Sequence, residues 1–306
     1  MTAPNDLKTI LGKLQFPDDA QVMRQIVDQT LQVKLRMGRI KRKIVVMSGK
    51  GGVGKSMSTV NLALGFARKA DRVGVLDVDL NGPCVPKMLG IGGKRFELTP
   101  EGALPPLGPL GIKVASMDFF LREHAPVRWK GSIELSPVWL GMLEMNVIRE
   151  LLADIAWGEL DILLADLPPG AAADKPPALA NFLPDLDGAV IITTPSEVTT
   201  DVVRKSVLYA RDVGIPVIGL IENMSGYHCP QCGHESDLFA GSVEALAAEL
   251  DVPLLGKIPF DRDLSQRCDS GNPLTDSSHP MARRFDEIVQ RIVDCLNFRE
   301  IVAQRL

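Results

Sequence analysis

No stretch of the chain reaches about 18 apolar residues without a charge, so no transmembrane helix is expected. The opening residues, MTAPNDLKTI, have neither a basic n-region nor an apolar h-region, so no secretory signal is expected either. Cysteine is scarce and odd in number. The five residues Cys84, Cys229, Cys232, Cys268 and Cys295 read as reduced thiols of a cytoplasmic protein, not as a disulfide framework. An excess of one charge sign is missing too: 34 Lys and Arg stand against 38 Asp and Glu, a net charge of −4. That gives no global pull toward nucleic acid or anionic membrane, and neither partner is expected. Aromatics are only 5%, two of them Tyr. There is no internal repeat and no low-complexity tract. What remains is 45% apolar and 24% charged in 306 residues. This composition excludes collagen, wholesale disorder and a stapled miniprotein, and the length suffices for a large core. Length alone allows two domains or one large α/β domain.

Residues 1–43 are charged and loosely patterned. Val22, Met23, Ile26, Val27, Leu31, Val33 and Leu35 suggest an amphipathic helix. It runs into a basic cluster, Lys34, Arg36, Arg39, Lys41, Arg42 and Lys43, read as a solvated helix end and linker, with nucleic-acid or membrane contact as the alternative. From Ile44 onward short β-branched runs (44–48, 73–79, 161–168, 189–195, 215–223) alternate with helical stretches such as 55–70 and 197–213. Nearly continuous apolar runs suit strands buried on both faces. The alternation predicts an α/β fold with a mostly parallel β-sheet flanked by helices. The Gly- and Pro-rich stretch 92–111 reads as an exposed loop or hairpin.

The strongest signal is Gly49-Lys50-Gly51-Gly52-Val53-Gly54-Lys55-Ser56, followed by Met57. It fits the GxxxxGK[ST] phosphate loop and follows an apolar strand. Helix-start amides and the helix dipole favour an anion there. Lys55 reaches the β- and γ-phosphates of a bound nucleotide, and the Ser56 hydroxyl binds Mg²⁺. The domain organisation expected is therefore an N-terminal helical extension, 1–43, and a P-loop ATPase domain, 44–306. GKGGVGKS also resembles the deviant Walker A motif of the ParA/MinD/nitrogenase-iron-protein group. That resemblance implies that Lys50 reaches across a homodimer interface to the partner's nucleotide.

Asp77 and Asp79 end a strand in LDVDLNGP, and Asp166 ends another in LLADLPPG. In α/β sheets the ligand lies at the carboxyl ends of strands. Asp166 fits the Walker B carboxylate that holds Mg²⁺ through water. Asp77 is assigned to the magnesium shell or switch support, and Asp79 to orienting the attacking water. Pro168, Pro169 and Gly170 fit a γ-phosphate-sensing switch, with the Gly170 amide available to the terminal phosphate.

Cys229 and Cys232 lie in ENMSGYHCPQCGHES. A two-residue spacer lets two thiolates bind one metal centre, but a zinc site or [4Fe-4S] cluster usually needs four ligands. Three completions are open: a zinc knuckle with His228 or His234, a redox dithiol, or the same pair from a second subunit on a two-fold axis. A redox CxxC normally opens a helix, whereas Pro230 and Gly233 suggest a turn. Cys84, Cys268 and Cys295 have no paired spacing and read as small buried hydrophobes.

The order GKGGVGKS, LDVDLNGPCVPKMLG, VRWKG, WGELDILLADLPPG, ITTPSEV, IENMSGYHCPQCG and GKIPFD resembles the Mrp/ApbC family, relatives of the Nbp35/Cfd1 scaffold ATPases, over about residues 42–275. The CPxC segment separates that family from MinD and ParA. The resemblance implies a homodimeric ATPase of the SIMIBI type. It would hold a bridging [4Fe-4S] cluster on Cys229 and Cys232 and deliver it to apo iron–sulfur client proteins. It further implies that Asn223 contacts the adenine and that Pro259 to Asp261 border the base or ribose. The chain departs from the family where the usual PPGTGD reads PPGAAADKPP, which bears on switch geometry and hydrolysis rate. Residues 1–43 do not match the accessory domain many members carry. The alternative function is a MinD/ParA-type spatial-regulation ATPase, for which the stripe Phe285, Ile288, Val289, Ile292, Val293, Leu296, Ile301 and Val302 would serve as tether; the plainer reading is a terminal helix docked on the domain. An electron donor like the nitrogenase iron protein fits less well, because that group takes its two cysteines from separated segments.

Overall fold

The computed structural model describes residues 19–80, 82–120, 137–170, 183–229, 231–232 and 234–303. The substituted switch segment after Gly170 (Ala171 to Asp174), the VRWKG segment, Pro230 and Gly233 lie outside the described residues, as do the side chains of Val22, Met23, Ile26 and His228.

Seven parallel strands form the central sheet: β1 (Ile40–Ser48), β2 (Val73–Asp77), β5 (Lys113–Ser116), β6 (Leu160–Asp166), β7 (Gly188–Thr193), β8 (Val217–His228) and β10 (Leu254–Phe260). Their order is β10-β8-β7-β1-β6-β2-β5, and β9 (Glu235–Ser236) adds antiparallel to β8. A two-stranded hairpin, β3 (Glu97–Thr99) with β4 (Gly102–Leu104), occupies part of the Gly- and Pro-rich stretch.

The apolar runs are continuous because each strand is covered on both faces. In β1, Val45 and Met47 enter one core, and Ile44 and Val46 the other, as strand alternation requires. The first core is closed by α1 (Asp19–Met37), α4 (Pro137–Asp154), α5 (Glu197–Asp212) and α6 (Val243–Glu249), through residues such as Met37, Leu152, Val207 and Leu246. The second is closed by α2 (Lys55–Arg68), α3 (Val85–Met88), α7 (Arg262–Ser270) and α8 (Pro280–Ala303), through Leu64, Val85, Leu264 and Phe285. The sequence-expected α/β architecture is the one observed.

Two local features differ from the sequence reading. The expected boundary between residues 43 and 44 falls inside β1, which begins at Ile40 because Ile40 and Arg42 already pair with Leu160 and Ile162 of β6. The basic cluster, expected as a solvated helix end and linker, is only partly so: Lys34, Arg39 and Lys41 are exposed, while Arg36, Arg42 and Lys43 turn inward. Arg36 donates to the carbonyls of Ile155 (2.9 Å) and Glu101 (2.7 Å). Lys41 pairs with Asp161 at 2.8 Å, and Arg42 with Asp187 at 3.0 Å and Glu300 at 2.7 Å. Lys43 is buried. These charges fasten α1, α8 and the strand ends to one another.

Candidate functional site: a phosphate loop and a thiol hairpin

The loop 49–54 joins β1, at the centre of the sheet, to α2. Its glycines answer two local demands. A Cβ on Gly49 would sit 2.6 Å from Val202 Cγ1 of α5, so only glycine lets the loop start so close to that helix. Gly54, the residue before α2, has φ +84°, and a Cβ there would collide with the Asn223 amide. Lys50 is exposed at the loop tip. Pro169 lies against Gly51, so the segment carrying Gly170 (φ +80°) borders the loop.

Parallel pairing brings the acidic strand ends together. β6 lies between β1 and β2, with Val46 and Asp77 both in register with Asp166. Asp166 is fully buried. Its Oδ2 is 2.7 Å from Lys55 Nζ and accepts from Ser56 Oγ at 2.6 Å, while its Oδ1 accepts from Thr59 Oγ1 at 2.6 Å. Asp77, also fully buried, accepts from Ser116 Oγ at 3.1 Å and from the N–H groups of Val85 and Asp79 at 3.3 Å each. Burial and the neighbouring Asp166 carboxylate push its pKa well above the ordinary carboxylate range, against the pull of Lys55, Ser116 and the Val85 amide. Asp79 lies just past β2, half-buried, and its Oδ1 accepts from Gly82 N–H at 3.2 Å. The structure thus joins Lys55, Ser56 and Asp166 directly, with Asp77 beside them. The Asp79 backbone reaches Asp77, but among the described contacts its side chain makes no hydrogen bond or ion pair with Lys55, Ser56 or Asp166. Hard oxygen donors from a hydroxyl and a carboxylate suit a Mg²⁺ that keeps most of its waters, so this donor set fits the ion.

On the other side of the loop, Gly54, Met57, Met88, Asn223, Phe260 and Asp261 line a cavity of about 170 Å³, with Pro259 at its edge. Asn223 Nδ2 donates to the Val53 carbonyl at 2.8 Å, and Asp261 Oδ1 accepts from the Leu264 N–H at 2.7 Å as the N-cap of α7. The lining is mostly apolar, with the Asn223 amide and the Asp261 carboxylate among its polar groups.

Asn223 belongs to β8. The next residue, Met224, has φ +54°, and the pairing with β10 shifts register between Ile258 and Phe260. Beyond this irregularity β8 continues outward and turns back as β9. The turn holds Cys229 and Cys232, closed by the Cys229 N–H donating to the His234 carbonyl at 2.9 Å. Cys229 is partly exposed and Cys232 exposed. Backbone N–H groups of Cys232 and Gln231, together with the Cys232 thiol, hold the Cys229 thiol below its usual pKa. This favours the thiolate, the form that binds metal. The pair sits on a strand hairpin, not at a helix N-terminus. Among the described residues no group of three or more His, Cys, Asp and Glu side chains converges to hold a metal.

A model of the NUBPL iron-transfer P-loop NTPase family matches residues 39–293, the span that carries both the phosphate loop and the thiol hairpin. The chain belongs to this family. It is 42% identical over 288 residues to an iron-sulfur cluster carrier protein of Methanocaldococcus jannaschii, covering 94% of each chain. A solved nucleotide-binding protein from Archaeoglobus fulgidus, in complex with ADP, superposes with a TM-score of 0.70 at 36% identity, over 84% of this chain and 96% of that one. The cell-division ATPase MinD of Pyrococcus furiosus has a TM-score of 0.56 at 20% identity, over 83% of this chain and 99% of that one; this likeness is one of fold.

Some of this NTPase's site residues carry no motif of their own. Thr59 is one turn beyond Lys55, and the helical repeat alone points it the same way. Ser116 reaches Asp77 because β5 pairs with β2, placing the two residues in register. Cys84, read as a small hydrophobe, lies beside Ser56, Asp77 and Asp166, where burial pushes its thiol up to about 11. Cys268 does pack as a buried residue in the core, and it also lines the cavity beside the loop.

Proposed function

We propose that this iron-transfer NTPase is an ATP-binding and ATP-hydrolysing carrier that holds a [4Fe-4S] cluster between two copies of the chain and delivers it to apo-proteins in the cytoplasm. One observation carries the reading: a single strand, β8, touches the phosphate loop through Asn223 and six residues later presents Cys229. In this reading movement at the nucleotide reaches the thiols along that strand.

In this reading Lys55 and the amides of residues 51–56 bind the phosphates, and Ser56 and Asp166 hold Mg²⁺, with Asp77 as a buried support. Mg²⁺, when bound, neutralises phosphate charge and helps fix the geometry of transfer. Asp79 orients the attacking water, and the Gly170 N–H faces the terminal phosphate. The base lies against Met57 and Asn223, with Pro259 and Asp261 at the edge. Lys50, exposed at the loop tip, serves the nucleotide of the partner copy. Cys229 and Cys232 supply two ligands, and the second copy supplies two more, completing the four that a cluster takes. The cluster is cargo, which suits an exposed thiol pair.

Anaerobic reconstitution with iron and sulfide is expected to produce broad visible absorption, with iron bound in proportion. A Cys229→Ala/Cys232→Ala variant is expected to lose both. Equal iron in parent and variant, with no such absorption in either, would overturn the reading.

A further inference from the structure

Asp166 is held by three side chains, and only one of them has no other task. Lys55 Nζ and Ser56 Oγ both approach Oδ2. In the proposed function the same two groups serve phosphate and Mg²⁺, so ligands compete with Asp166 for them. The third is Thr59, which is 0% exposed and donates to Oδ1 at 2.6 Å. Its hydroxyl has one proton to give. The Lys55 carbonyl is also near, at 3.1 Å, but the closer, charged oxygen makes the stronger bond. The backbone of Asp166 is fixed separately, since its carbonyl accepts from the Val78 N–H at 2.9 Å. What remains free to turn is the carboxylate, and Thr59 sits on its far oxygen.

We infer that Thr59 is a positioning residue that keeps the Asp166 carboxylate aimed at the metal position while Lys55 and Ser56 turn from Oδ2 to the phosphates and the ion. The inference rests on the proposed role of Asp166 at Mg²⁺. Outer-sphere donors of this kind typically govern metal affinity by about 10- to 100-fold, because they fix the orientation of the oxygen that faces the ion. In the proposed function Thr59 is assigned no contact with nucleotide or metal, its hydroxyl being held by Asp166 and the Lys55 carbonyl, so nucleotide binding without Mg²⁺ is expected not to depend on it.

The test is a Mg²⁺ titration of fluorescent ATP-analogue binding to the full chain, repeated in EDTA, for the parent, Thr59→Val, Thr59→Ser and Asp166→Asn. Thr59→Val is expected to raise the half-saturating Mg²⁺ concentration about tenfold or more and to leave the EDTA affinity unchanged. Thr59→Ser is expected to titrate like the parent. If the valine variant does not fold, Thr59→Ala takes its place and must shift in the same direction. Superimposable titrations of the parent and the hydroxyl-free variant, with Asp166→Asn shifted, would overturn the role of Thr59 and leave that of Asp166 standing. An unshifted Asp166→Asn would overturn both.

Discussion

Lys43 is 3% exposed, with its ammonium 3.4 Å from the Met37 carbonyl and 3.3 Å from that of Ile40. Burial lowers its pKa, and Asp187 and Asp185 restore part of the loss. Between that lowered value and the ordinary 10.5, the unfolded chain binds a proton that the folded chain has released. Stability therefore rises with pH across this window. Below it both states are protonated and the burial cost is present in full. Lys43→Met lacks the slope, so its stability relative to the parent is expected to fall as pH climbs toward the ordinary lysine value. Urea denaturation of both proteins at several alkaline pH values checks this; a difference that stays flat or grows contradicts it. Residues picked out by a local pattern, such as Lys55 and Ser56, are legible in the sequence as neighbours in one loop. Lys43 was read as one charge among six because nothing in its neighbours along the chain announces that β1 starts at Ile40.

Among the helices, α8 decides between a docked element and a free tether. Phe285, Ile288, Val289 and Ile292 are at most 1% exposed and join the second core. Two of its four arginines are tied inward: Arg291 donates to the Leu255 carbonyl at 3.0 Å and Arg299 to the Val217 carbonyl at 2.5 Å. Asp286 pairs with Arg68 of α2 at 2.6 Å. The stripe read from the sequence thus faces the protein from Phe285 to Leu296, while its last two members, Ile301 and Val302, are 49% and 41% exposed, and the neighbouring Phe298 is 67% exposed. Phe285→Ala is expected to cost about 3–5 kcal/mol of stability, and Phe298→Ala no more than about 1 kcal/mol. Chemical denaturation separates the two, and equal losses would contradict the docking of this helix. Helical spacing tells which residues share a face. It does not tell whether that face meets a core or a membrane, because both are apolar.

At the scale of the whole molecule, strand order sets the chemistry. With β6 between β1 and β2, the loop lysine and two aspartates from three distant segments meet at one end of the sheet. The thiol hairpin leaves from the other half of the sheet, on the strand that touches the loop from the side. Among the described residues Lys50 makes no hydrogen bond or ion pair with this constellation, and its proposed role belongs to an assembly of two copies. Lys50→Ala is expected to bind nucleotide like the parent and to lose about a hundredfold in hydrolysis. A steady-state phosphate-release assay beside a nucleotide-binding isotherm checks it; hydrolysis within a few-fold of the parent would refute it.

The sequence by itself determined the layered α/β class, through apolar runs and their alternation with helices, and it located the phosphate loop and the thiol pair, through residue types at short fixed spacings. Both are local properties, set by backbone geometry and side-chain reach within a few residues. Only the tertiary structure decided that Thr59 and Ser116 hold the two buried aspartates, that Arg36, Arg42 and Lys43 of the basic cluster turn inward, and that one strand connects phosphate loop to cysteines. Those facts depend on register and packing between segments far apart in the chain, and local spacing carries no record of which distant strand becomes a neighbour.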